Sequence, residues 1–194
     1  MTPYLLVPMI SSLVCAVLAT AIFVRDPAHR ANRLAASMVA GVTVWSLCEV
    51  LWNLQTDPGP ARIFLRLSTL GWVFIGPLSV DLMREITGEL RPERRRTEGR
   101  LYAIAAMFLW ASLFTPWLHG DMVATPWGWG YEVRPLHLVY LAFTVGCIVV
   151  GLDAGRRAYR TASPGERIQA LSLGGGILVP LVVASATDSL LPAM

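Results

Sequence analysis

The sequence predicts an all-α fold: a polytopic transmembrane helix bundle of about six spans, with its N-terminus outside the cytoplasm. Three observations carry this. The chain has 194 residues, 55% hydrophobic and only 15% charged, where a soluble domain carries about a quarter charged residues. Its apolar residues gather in runs close to the ~20 residues that a helix needs to cross ~30 Å of hydrocarbon. Its basic residues alternate between the ends of those runs. In lipid the backbone must satisfy its own hydrogen bonds, so runs of this length are helices. The short alternating segments of a transmembrane β-barrel are not found.

The spans are expected at 4–24, 34–54, 63–83, 101–118, 135–152 and 168–190, forming one transmembrane domain over 1–194. The first is not a signal peptide, since no positive segment precedes it and its apolar stretch is too long. The second carries Glu49. The third has Arg66 near one end and Asp81 near the other. The fourth is uncharged. The sixth has Asp188 near its end, with Gly174, Gly175, Gly176 and Pro180 permitting close approach and a kink.

Arginine placement sets the direction. All 16 basic residues are Arg, and thirteen of them follow the first, third and fifth spans. Only Arg62, Arg66 and Arg134 remain for the other side. The three Arg-rich loops are therefore expected in the cytoplasm. The Arg94–Arg96 run reads as a topology signal that also touches anionic headgroups. On the outer side, Asp57-Pro58-Gly59-Pro60 is a tight turn. The segment from His119 to Arg134, with Trp127, Trp129 and Tyr131, is expected at the outer membrane face or over the mouth of the bundle.

Several functions fall away. Lysine is absent, so no retinal Schiff base can form. The arginines sit between spans, which leaves no nucleic-acid surface. Cys15, Cys48 and Cys147 lie in apolar runs without metal-ligand spacing and read as small hydrophobes. His119 and His137 lack the third ligand that a metal or haem site needs, and no cofactor is expected. No nucleophile–base pair, HExxH or phosphate-binding glycine loop occurs, so the chain is not expected to be an enzyme.

Ionisable groups inside a span cost about 2.5–3.5 kcal/mol on insertion scales and default to functional candidates. Glu49 and Arg66 are expected at similar depth on the outer side. They would form a structural ion pair or face a ligand together. His137, Tyr140 and Asp188 are placed to line the same outward cavity. Trp45 and Trp72 lie deeper, as packing or as a stacking platform for a ligand. Asp81, Arg84 and Asp153 fall at cytoplasmic ends, where they are expected to be solvated. Gly151 and Gly155 form an isolated GxxxG.

The chain resembles the N-terminal seven-helix membrane sensor region of bacterial sensor histidine kinases. The resemblance rests on Trp45 and Glu49 in the second span, the Asp57–Pro60 turn, Gly71 and Pro77 in the third, and the closing Thr87-Gly88. It continues through Thr125 to Tyr131, His137 and Tyr140, then Arg167 to Gln169, Gly174 to Gly176 and Pro180. It implies a non-catalytic signal-sensing module in the bacterial inner membrane that feeds a cytoplasmic output domain. It implies that Glu49 and His137 are ligand or coupling positions. The family has seven helices and a cytoplasmic C-terminus, against six spans here. The chain is therefore expected to be a piece of a longer sensor or a stand-alone relative. The expected partners are membrane lipid, a second copy or other membrane subunits, and an outer-side small molecule. The competing reading is an accessory subunit of a larger membrane complex, holding lipid, pigment or quinone between helices. A small transporter is disfavoured, because the charged candidates lie away from the midplane.

Overall fold

The computed structural model describes residues 3–88, 92–126 and 128–161. The described chain is a helical bundle capped at one end by a β-hairpin. A 3₁₀ turn, Pro3–Leu5, leads into α1 (Leu6–Arg25). There follow α2 (Arg30–Asn53), α3 (Pro58–Trp72), α4 (Ile75–Ile86), α5 (Pro92–Phe114), β1 (His119–Thr125), β2 (Gly128–Val133) and α6 (Pro135–Thr161). Among the described residues, four stretches are long and apolar enough to cross a membrane: Leu6–Arg25, Arg30–Asn53, Pro58–Ile86 and Pro135–Arg157. The first turns of α5 are filled by Arg and Glu, and it is apolar only from Leu101 onward.

Local chemistry sets the boundaries. Pro58 opens α3 at its first position, where the missing N–H is an orphan in any case. Pro116 lies just beyond α5 and disfavours helical backbone before it, so the helix stops at Phe114 rather than at the expected Leu118. Helix α6 runs on to Thr161, past the expected end at Leu152. The expected sixth span, 168–190, lies outside the described residues.

The third span departs most from expectation. It is two helices, α3 and α4, separated at Val73 and Phe74. The cause is Pro77. Proline has no N–H to give Val73, and its ring clashes with that carbonyl. Helix α4 restarts its ladder with the Leu78 amide donating to the Phe74 carbonyl at 2.9 Å. The break leaves the Trp72 carbonyl without a helical partner, and the Tyr140 hydroxyl of α6 donates to it at 3.0 Å.

Helices α2 and α3 meet backbone to backbone. A Cβ on Gly71 would lie 2.3 Å from the Gly41 carbonyl oxygen and 2.7 Å from the Trp45 nitrogen. Helix α6 lies along α4 on small residues: Gly76 against Cys147, Gly151 against Ser79, and Gly155 against Met83. The sequence suggested only a weak GxxxG here, and the structure makes it the seam between α4 and α6.

The segment read as an outer loop is a short antiparallel hairpin on the helical bundle. Thr125 pairs with Gly128 and Met122 with Tyr131, and the register slips between His119 and Met122. Cys48, Trp52, Ala61 and Leu65, from α2 and α3, form a buried core with Met122, Trp129 and Tyr131 of the hairpin packed against it.

Gly71→Ala forces apart two backbones that have no side chain to move. Overpacking of this kind costs about 1–3 kcal/mol, so the detergent-solubilised protein should melt earlier. Gly99→Ala is the control: a Cβ there meets nothing within 4 Å. Equal melting of the two variants would show that the α2–α3 contact is not a constraint.

Candidate functional site

Trp72 stands where α3 breaks, and other rings collect around it. Its centroid lies 4.5 Å from Tyr140, 5.8 Å from His119 and 5.9 Å from His137. The two imidazoles are 5.6 Å apart, and Tyr131 of the hairpin closes on His119 at 5.0 Å. The cluster thus joins α3, β1, β2 and α6. His119 is 6% exposed and His137 4%. His119 Nδ1 lies 3.3 Å from the Ser112 hydroxyl, which shares a 2.6 Å hydrogen bond with Thr69. His119 Nε2 and His137 Nδ1 are buried without a partner. A buried polar atom without a partner costs about 1–3 kcal/mol, so two in one cluster mark it as a place that a ligand would complete.

The hairpin covers this cluster and is fastened at several points. Asn53, the last residue of α2, accepts the Trp129 amide at 2.8 Å, and the Trp129 indole donates to the Gln55 carbonyl at 2.8 Å. Gly128 has φ +140°, and a Cβ there would lie 1.9 Å from Asn53 Oδ1, so only glycine fits beneath that latch. Arg62 of α3 pairs with Asp121 of β1.

The sequence candidates separate here. Trp72, His137 and Tyr140 come together. Trp45 is partly buried and packs against the hydrophobic cluster around Trp72, Val73 and Tyr140. Arg66 lies two turns before Trp72, and its guanidinium donates to the Leu113 carbonyl at 3.1 Å. Glu49 instead accepts the Tyr4 hydroxyl at 2.7 Å. The expected Glu49–Arg66 pair is not formed, because each group has closer partners on another segment. Asp188 lies outside the described residues. From the sequence, His119 is a candidate only as a metal or haem ligand. Its place in the cluster depends on the hairpin, which sequence spacing does not show.

A second cluster sits at the Arg-rich end, where the sequence pointed to solvated groups. Asp81 is 5% exposed and Arg84 8%. Arg30, the first residue of α2, reaches Asp81 at 2.6 Å, Glu85 at 3.1 Å and Glu98 at 4.0 Å. Arg84 pairs with Glu98 at 3.4 Å, and the Tyr102 hydroxyl donates to Asp81 at 3.4 Å. The charges are buried because α2, α4 and α5 converge there. Asp153 is exposed as expected and pairs with Arg157 one turn along α6.

Removing one member of a buried ion pair strands the other, at a cost of about 3–5 kcal/mol. Glu98→Gln should therefore destabilise the bundle far more than Asp153→Asn, read by thermal unfolding in detergent. Comparable losses would mean that the network is solvated.

Burial lowers the His119 pKa from 6.5 to about 3, and the neighbouring His137 and Arg66 add to the shift. The native state then holds fewer protons than the unfolded state below pH ~6.5, so stability falls with acidification. Hairpin docking should weaken progressively from pH 6.5 toward 3 and stay level above 6.5, with a shallower profile in His119→Gln. Hydrogen exchange at the hairpin amides measures it, and a flat wild-type profile would contradict the burial.

Comparison with known proteins bears on the whole chain. Searches of curated proteins and of solved structures find no match. The family model described as the N-terminal 7TM region of histidine kinase matches residues 7–192. With four stretches able to cross a bilayer, this multi-pass membrane protein belongs to the family of N-terminal seven-transmembrane regions of histidine kinases.

Proposed function

We propose that the chain is a signal-sensing transmembrane region without catalytic activity of its own, set in a bacterial inner membrane with the hairpin on the outer face. The observation that carries the reading is the ring cluster beneath the hairpin. Two buried imidazoles, 5.6 Å apart, each have an unpartnered nitrogen in one cluster. Family membership supports the link to a kinase output, and the arginine bias supports the orientation.

The mechanism follows from contiguity. A ligand at the cluster would touch Trp72, which precedes the α3–α4 break, and His137 and Tyr140 of α6. Helices α4 and α6 pack on glycines along their length, a seam with few interlocking side chains to resist sliding. The inner end of α4 carries Asp81, Arg84 and Glu85 in the buried ion network. Displacement of α4 would exchange partners among these charges. A ligand does this only if it binds one arrangement better than the other. Contiguity supplies a route, and coupling has to be measured.

The test is a chimera in which the full chain replaces the membrane region of a histidine kinase, with autophosphorylation in membranes as the readout. Asn53→Ala removes the acceptor that holds Trp129. It should change output about fivefold or more, the lower end of typical coupling between sites, at unchanged membrane abundance. Output identical to the parent chimera in Asn53→Ala and in His137→Gln would refute the sensing reading.

A further inference from the structure

Resting on that sensing reading, we propose that Arg66, His119 and His137 form a binding site for a small monocarboxylate, held beside the Trp72 ring beneath the hairpin.

Charge accounting at the hairpin end points to an anion. Arg62 has Asp121 at 2.5 Å and Arg134 has Glu132 at 2.9 Å. Those two carboxylates are occupied. Arg66 has a backbone carbonyl and, among the described residues, no carboxylate. An Arg within a span normally carries a counter-charge or faces a polar cavity, because leaving it alone in a low-dielectric setting is costly. Glu49, the span carboxylate expected to serve, is engaged with Tyr4 instead.

Geometry places this charge at the ring cluster. Along α3, Thr69 is the i,i+3 neighbour of both Arg66 and Trp72 and links the two. Arg66 binds the carbonyl of Leu113, and His119 meets the hydroxyl of the adjacent Ser112. Guanidinium and imidazole therefore anchor on neighbouring residues at the end of α5. The Thr69–Ser112 hydroxyl chain can donate to His119 Nδ1, which leaves Nε2 as the N–H. His137 Nδ1 likewise has no competing partner. One guanidinium and two neutral imidazole donors match a single negative charge and fall short of a phosphate dianion. A metal cation on the same two imidazoles would face repulsion from Arg66, and among the described residues no group of three or more His, Cys, Asp or Glu side chains is placed to hold a metal ion. The rings of Trp72, Tyr131 and Tyr140 offer apolar surface to the body of the ligand.

The test uses the full chain in detergent or nanodiscs, with tryptophan fluorescence and thermal shift as readouts. Acetate, hexanoate and benzoate are each titrated against the corresponding amide, with benzylamine and Zn²⁺ as cationic probes. At least one carboxylate should bind saturably and at least tenfold more tightly than its amide. Arg66→Gln should erase that preference, Arg66→Lys should retain part of it, and Arg33→Gln, at the opposite end, should leave it unchanged. The proposal is overturned if no carboxylate beats its amide, if a folded Arg66→Gln keeps the preference, or if Zn²⁺ binds through both histidines. Should Arg66→Gln not fold, the carboxylate-to-amide ratio of the parent protein decides alone. Carboxylate binding with a silent chimera would retain this site and remove the sensing role. A responsive chimera without carboxylate preference would do the reverse.

Discussion

One absent N–H organises the protein. Pro77 cannot complete the helical bond to Val73, and a stretch long enough to cross the membrane becomes α3 and α4. The break exposes the Trp72 carbonyl, and the Tyr140 hydroxyl takes it. That bond brings α6 against the end of α3 and places His137, one turn earlier on α6, within 5.9 Å of the Trp72 ring. Without the break the carbonyl would be occupied within its own helix, and α6 would lose its polar anchor.

Around this joint the two ends of the bundle are held by different physics. At the hairpin end, rings pack edge to face. Such pairs contribute about 0.5–1.5 kcal/mol beyond their burial and tolerate small rotations. At the Arg-rich end, Asp81, Arg84 and Glu98 are buried together, with the half-buried Arg30 and Glu85 completing the network. An interior ion network tolerates discrete exchanges of partner better than gradual stretching, because an unpaired buried charge is expensive. Helices α4 and α6 connect the two ends along glycines. A soft joint at the hairpin end, a smooth seam and an ion network at the Arg-rich end are the parts the proposed relay would use.

The hairpin completes the ring cluster. Its strand residues supply His119 and Tyr131, and its tip sits on Asn53 through a glycine that no other residue can replace without a clash. Cover and cluster are therefore one unit: lifting Trp129 from Asn53 would draw Tyr131 and His119 away from Trp72. The carboxylates of the hairpin are matched by Arg62 and Arg134, so the cover brings no uncompensated negative charge to the cluster.

The sequence by itself determined the membrane-spanning helical class, the family, and three of the residues that meet at the cluster: Trp72, His137 and Tyr140. These follow from one-dimensional quantities, namely run length, arginine bias and ordered motifs, because hydrocarbon thickness and backbone satisfaction leave few alternatives. The tertiary structure decided the rest. Only three-dimensional placement shows that Asp81 and Arg84, at a helix end that reads as solvated, are buried by α2 and α5. Only the hairpin register brings His119 onto Trp72 and Tyr131 onto His119. Glu49 and Arg66 looked like partners because equal depth was legible, but azimuth around the helix was not, and each side chain turns to a different neighbour. Depth is written in the spacing of residues along a span, whereas pairing depends on which faces the helices present to one another once packed.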